Sequence, residues 1–210
     1  MSRDKVSLKM DVDTQTKIKN AARLMFHRKG FAATRTRDIA EEAGINLALL
    51  NYYFRSKQKL FDIIMMETMQ SFFQAMAVVL NDEQSTFKEK ITAIANNYID
   101  LLSVEPEIPL FLMNAVRSNP NVIFEKLPIK QFFLNSVFIK QFDEMVSKGK
   151  IVHNDPLQFV VNMLGLIVFP FIARPMVKEV GGLSDIQFDK MMYERRRLIP
   201  LWIKFILKTK

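Results

Sequence analysis

Apolar side chains recur at helical spacing along almost the whole chain. Ile18, Ala21, Ala22, Met25 and Phe26 stand at i, i+3, i+4, i+7 and i+8, which predicts one apolar face on a helix from about Thr14 to Lys29. Gly30 follows as a natural C′ residue. A short second helix is expected from Arg37 to Ala43, capped by Thr36, with Asp38 complementing the dipole of its first turn and Gly44 closing it. Asn46 is placed to cap a third helix from Leu47 to about Tyr53, and Ser56 a long fourth one reaching about Leu80. The fourth is apolar nearly all round (Leu60, Phe61, Ile63, Ile64, Met65, Met66, Met69, Phe72, Phe73, Met76), so it is expected to be buried on more than one side and to join the head to a second helical body. Further helices are predicted at roughly 85–104, 107–118, 128–149, 155–173 and 185–207. They are punctuated by Pro106, Pro109, Pro120, Pro128, Gly149, Asp155-Pro156 and Gly181-Gly182. No run of alternating β-branched residues is bounded by a hairpin turn signal, and no internal repeat is visible. The expected fold is all-α, with an N-terminal three-helix head over residues 1–59 and a helical body over 60–210.

Charge changes this picture more than composition does. The 210 residues are 49% hydrophobic, as a globular chain requires, and carry a net charge of +8. Residues 1–60 hold thirteen Lys and Arg against six Asp and Glu; the other 150 hold seventeen against sixteen. Nearly the whole excess therefore lies in the head, which points to a polyanion partner there and none for the body. Cysteine is absent, excluding disulfides and thiolate metal sites and suiting a reducing cytoplasm. The polar start MSRDKVSLKMDVD lacks the apolar core of a secretory signal. Leu157 to Ala173 is uncharged, but it contains Gln158, Asn162, Gly165 and Pro170 and falls short of the roughly 20 apolar residues of a membrane span. It reads as a buried helix, with no membrane partner. His27 and His153 are the only histidines, and no Asp/Glu/His cluster has metal-ligand spacing. With no Gly-rich phosphate loop and no nucleophile elbow, neither an enzyme nor a cofactor is expected.

The segment Thr34–Lys57 carries the candidate chemistry. Two short helices meet at Gly44, where a positive φ is cheap only for glycine, and the small Ala40 and Ala43 let them cross closely. Ile39, Ile45, Leu50 and Phe54 supply a core beneath them, leaving Asn46, Leu47, Ala48, Leu49, Asn51 and Tyr53 to face outward. Small, apolar and amide side chains on an exposed helix can enter a major groove and touch base edges. Thr36, Arg37, Ser56 and Lys57 sit at helix N-termini, where free N–H groups, hydroxyls and cations clamp phosphates.

Thr36, Asp38-Ile39-Ala40, Ala43-Gly44-Ile45-Asn46, Leu50-Asn51, Tyr53-Phe54, Ser56-Lys57 and Leu60 together resemble the tetracycline-repressor-like (TetR/AcrR) family of transcription regulators. The chain departs from the family pattern at Asn51, where tyrosine is usual, and at Ala48, where glycine is usual. The resemblance implies that Thr36 and Arg37 contact DNA, that Leu47, Ala48 and Leu49 face bases, and that Tyr53 and Lys57 hold the phosphate backbone; Asn46 and Tyr52 complete the expected DNA-binding set. Asn51 has the chemistry either to read adenine or to bond a phosphate. It also implies a homodimer on a pseudo-palindromic double-stranded DNA operator, and a small-molecule effector in the body. Fifteen of the eighteen phenylalanines follow residue 60. Most read as core packing, while the set Met69, Phe72, Phe73, Phe111, Phe133 and Met163 also suits an apolar ligand cavity. Arg117, three residues after Asn114, either anchors a ligand carboxylate or ends its helix as a solvated charge. Arg195-Arg196-Arg197 reads as solvated or paired with Glu194 or Asp189. The stripe Leu198, Trp202, Phe205, Ile206 and the helix bearing Leu164 and Val168 are expected to form a four-helix dimer interface. The expected function is a cytoplasmic, ligand-responsive repressor; a non-specific architectural DNA binder and an activator of the same fold are the alternatives.

Overall fold

A computed structural model describes residues 3–208 apart from 119, 128–132 and 153–154; the side chains of residues 3–11, His27 and Val122 also lie outside the description. Among the described residues the chain is helical and has no strand. It divides into two compact units, residues 1–68 and 69–210, and the division falls inside one helix.

The first unit opens with α1 (Arg3–Ala33), which starts earlier than its apolar periodicity suggests and continues for a turn beyond Gly30. Gly30 takes the positive φ expected of it (75°), but as a kink rather than an end. The buried Thr34 hydroxyl donates back to the carbonyls of Gly30 (2.7 Å) and Met25 (3.1 Å), which satisfies the interrupted ladder. Next come α2 (Thr36–Glu42) and α3 (Leu47–Phe54). Arg35, not Thr36, is the N-cap of α2; its N–H donates to Asp38 Oδ2 (3.1 Å), so Thr36 is the first helical residue. α4 (Lys57–Asn81) contributes Leu60, Phe61, Ile64 and Met65 to the buried core of this unit, beside Ile18, Ala22, Ile39 and Leu50. Phe61 packs on Phe31 (4.6 Å between ring centres) and edge-on to Phe26 (5.4 Å). Glu67, one turn further along α4, pairs with Lys19 (2.7 Å) and Arg23 (3.2 Å) of α1. These contacts draw residues 60–68 into the first unit. α4 meets the length and apolarity of a membrane span, but its first half is a core helix of the head.

The second unit contains the rest of α4, α5 (Phe87–Val104), α6 (Ile108–Ser118), α7 (Pro120–Lys126), α8 (Val137–Ser147), α9 (Pro156–Ile172), α10 (Arg174–Gly181) and α11 (Asp185–Ile206). The helix expected over 128–149 is described only from residue 133, where residues 133–134 are helical and a turn at 135–136 separates them from α8, while α7 and α10 were not anticipated. α5 begins in a capping box, Thr86 with Glu89, and packs most extensively on α11. Phe87, Phe138, Phe142 and Phe159 stack into one buried cluster joining α5, α8 and α9. The core reading of the body's phenylalanines therefore holds for these four.

The prolines inside α9 and α11 shape the last layer. Pro170 has no N–H, so the carbonyl of Leu166 four residues earlier loses its helical donor. Arg195 of α11 supplies one, its Nη2 lying 2.6 Å from Leu166 O while its guanidinium covers the Trp202 ring at 4.9 Å. Arg196 pairs with Asp100 of α5 and lies over Tyr193. Asp189 pairs instead with Arg174 (3.4 Å). The expectation of a solvated or Glu194/Asp189-paired triplet is corrected for Arg195 and Arg196, because a proline-freed carbonyl and a cross-helix carboxylate compete for them; Arg197 alone is exposed.

Candidate nucleic-acid interface and body cavity

The helix-turn-helix of the first unit is held by local bonds. Gly44 has φ 65°, and the N–H of Ile45 donates to Ala40 O at 3.0 Å, which folds the chain back sharply after α2. Asn46 Oδ1 accepts from Leu49 N (2.8 Å), capping α3. Asp38 bonds Lys29 Nζ (3.1 Å), and Glu42 lies 3.7 Å from Arg28, so α2 is tied to α1 through two carboxylates. The Arg35 N–H first, and then Lys29, hold the Asp38 carboxyl below its ordinary 3.8.

Packing decides which row of α3 faces out. Leu50 and Phe54 are buried, and Leu47, Leu49 and Tyr53 are half-buried. The exposed row is Ala48, Asn51 and Tyr52, with Asn46 at its start and Arg55 after its end. Leu47 and Leu49 thus point less freely outward than expected, because the sides of α3 that flank Leu50 rest on the head. Tyr52 is 77% exposed, with its ring edge-on to Tyr53 at 5.2 Å. Among the expected phosphate contacts, Arg37 is exposed and Thr36 half-buried.

Lys57 is the clear correction. Its ammonium donates to the carbonyls of Phe31 (2.7 Å) and Thr34 (2.8 Å), reaches that of Ala32 (3.5 Å), and lies 4.4 Å above the Phe31 ring. Its N–H groups close the segment after the Gly30 kink instead of pointing to solvent. Three cations that sequence reasoning passed over are exposed and join none of the ion pairs of the described residues: Arg35, Arg55 and Lys59. With Arg37 they flank both ends of the helix-turn-helix. Arg55 has a positive φ (56°), a conformation that disfavours a side chain and that nothing in the one-dimensional pattern announces.

In the second unit a cavity of about 340 Å³ is lined by Phe73, Met76 and Leu80 of α4, Ile94 and Tyr98 of α5, Phe133 and Leu134, and Pro156, Leu157, Val160, Met163 and Leu164 at and along α9. Phe73, Phe133 and Met163 of the expected pocket set come together here. Met69 is instead buried core, and Phe72 packs on Tyr98 (4.6 Å) and Phe73 (5.7 Å). Phe111 is half-buried away from the cavity, and Asn114 and Arg117 are exposed on α6, so they do not anchor a ligand there. Leu164, expected at a dimer interface, lines the cavity. Val168, Leu198 and Ile206 are half-buried, Trp202 lies half-buried under Arg195, and Phe205 is 69% exposed. The exposed apolar row of α9 is Leu157, Val161, Phe169 and Ile172. No cluster of metal-ligating side chains occurs among the described residues; His153 lies outside them.

The family described as "Bacterial regulatory proteins, tetR family" matches residues 18–64, the segment from mid-α1 into α4. A curated relative, the "Probable HTH-type transcriptional regulator YttP" of Bacillus subtilis (strain 168), is 24% identical over 211 residues and is matched over 95% of this chain and 97% of its own. A TetR/AcrR-family regulator from Thermobifida fusca shares the fold with a TM-score of 0.66 at 19% identity, over 90% of this chain and 97% of its own. The regulator FadR from Bacillus subtilis, solved in complex with stearoyl-CoA, does so with a TM-score of 0.56 at 19% identity, over 88% and 96%. These relatives are regulators rather than enzymes. With an all-α fold shared with TetR/AcrR-family regulators and a basic helix-turn-helix head that matches the tetR family over residues 18–64, the chain is a DNA-binding transcription regulator similar to that family.

Proposed function

We propose that the protein is a homodimeric, sequence-specific repressor that acts in the cytoplasm without catalysis and that a small apolar or amphipathic effector releases from its operator. The observation that carries this reading is the apolar cavity of the second unit, because a purely architectural body has no use for a 340 Å³ space walled by Phe, Met and Leu. The stearoyl group bound by FadR is an apolar chain of the kind such a wall accepts. α4 supports the coupling. It gives Phe73, Met76 and Leu80 to the cavity wall, and its first residues follow the recognition helix by a two-residue turn. Its 25 residues span roughly 37 Å, so a tilt of about 3° displaces one end by about 2 Å, enough to spoil phosphate contacts. The effector must bind the DNA-incompetent state more tightly for this to occur. Exposed apolar side chains on α9 (Val161, Phe169) and α11 (Leu201, Phe205) support the dimer. Ala48, Asn51 and Tyr52 are proposed to face the major groove, and Arg35, Arg37, Arg55 and Lys59 to hold the phosphates.

Footprinting on genomic DNA tests the proposal. One discrete pseudo-palindromic operator is expected, with half-sites one ~10-bp turn or a multiple of it apart. Uniform protection without a preferred site would assign the protein to the architectural class. Transcription from the footprinted promoter in a purified system is expected to fall on adding the protein; a rise would make it an activator.

A further inference from the structure

Among the twelve described residues that line the body cavity, Tyr98 supplies the only polar side chain. Its ring is held edge-on against Phe72, with centres 4.6 Å apart and planes at 74°. Tyr98 as a residue is half-buried, and its hydroxyl is not one of the buried side-chain atoms left without a partner among the described residues. Burial pushes the phenol up to about 12, so it remains a neutral donor at every physiological pH. A ligand oxygen that accepts from this hydroxyl gains a hydrogen bond beside an otherwise apolar wall, which fixes the orientation of the molecule. The wall offers no cation among its described lining residues. A carboxylate or phosphate drawn inside would exchange its hydration for one neutral hydrogen bond, whereas a carbonyl oxygen loses far less on entry.

On the effector reading above, we infer that the cavity takes an uncharged, mainly apolar molecule bearing one hydrogen-bond acceptor (a ketone, ester or amide oxygen) that receives the Tyr98 hydroxyl. The aromatic and methionine side chains then select for an apolar body, and Tyr98 fixes its orientation.

Three probes test this on the full-length protein: 2-decanone, decanoate, and the hydrocarbon dye diphenylhexatriene, which has no acceptor and reports cavity occupancy by fluorescence. The dye is expected to bind wild type and Tyr98→Phe equally, which also shows that the variant keeps its cavity. 2-Decanone should displace the dye from wild type at lower concentration than decanoate at neutral pH. Tyr98→Phe should weaken 2-decanone about five- to tenfold, the loss expected for one hydrogen bond, and leave decanoate unchanged. Equal 2-decanone affinity in wild type and variant would overturn the role of Tyr98 while leaving an effector cavity in place. Tighter binding of decanoate than of 2-decanone to wild type would overturn the uncharged ligand class. Failure of the dye and 2-decanone alike to bind would remove both this inference and the effector reading beneath it.

Discussion

Replacing Lys57 by methionine separates two physical roles for one cation. Methionine keeps the stem that packs on Phe31 and removes only the ammonium. That ammonium donates two short bonds, 2.7 Å to Phe31 O and 2.8 Å to Thr34 O, with the Phe31 ring 4.4 Å away. Bonds from a charged donor contribute roughly 1.5–3 kcal/mol each, and water replaces part of that at a half-buried site. A net loss of about 2–3 kcal/mol is expected for the first unit. A unit of 68 residues has on the order of 5 kcal/mol in total, so the change is large. Urea denaturation followed by far-UV circular dichroism should show the head unfolding early. Fluorescence of Trp202, which lies in the second unit, serves as the internal control. Hydrogen exchange should accelerate over residues 31–36. Where the variant remains folded, the salt dependence of DNA binding should keep its slope, because no phosphate contact has gone. Arg37→Ala should instead leave stability intact and make that slope shallower by about 1.8 for the dimer, about 0.9 for each protomer's lost phosphate contact. Full head stability in Lys57→Met together with a slope shallower by that amount would refute the closing role and return Lys57 to the phosphate backbone.

Three further outcomes are expected. The Asp38 carboxyl is held below its ordinary 3.8 in the folded head, so its contribution is present at neutral pH and is lost as pH falls through that value; Asp38→Asn should flatten the acid limb of head stability below about pH 4, and an unchanged limb in urea titrations would count against the α1–α2 tie. Arg195→Leu strands the Leu166 carbonyl that Pro170 freed, and should cost the second unit about 1–3 kcal/mol and shift Trp202 emission; an unaltered denaturation midpoint would show that water replaces the guanidinium. Phe205→Glu places a charge on the exposed α11 face and should split the dimer without unfolding the chain, lowering operator affinity while non-specific affinity changes less; sedimentation at full dimer mass would place the interface elsewhere.

The features legible in the sequence are those whose partners lie within one or two helical turns. Gly44 and the Asn46 cap act over three to five residues, so a linear pattern contains the whole interaction and the helix-turn-helix could be read directly. The charge asymmetry is likewise a sum along the chain and needs no fold. Helical periodicity predicts a buried stripe, but not what that stripe rests on. Phe73, Phe133 and Met163 meet at the cavity while Met69, Phe72 and Phe111, equally apolar, do not, because hydrophobic burial is non-directional and only the packing of α4, α5 and α9 leaves a gap. Which row of α3 faces out depended on a rotation about its axis set by Leu50 and Phe54. Lys57 closes on carbonyls 23 and 26 residues away, and Arg195 on one 29 residues away. A cation in a sequence announces only its charge. Whether that charge is free for a phosphate or is consumed by carbonyls freed at a kink or a proline is settled when distant backbone arrives beside it, so the tertiary structure, and not the motif, decided which basic residues of this protein remain free to meet DNA.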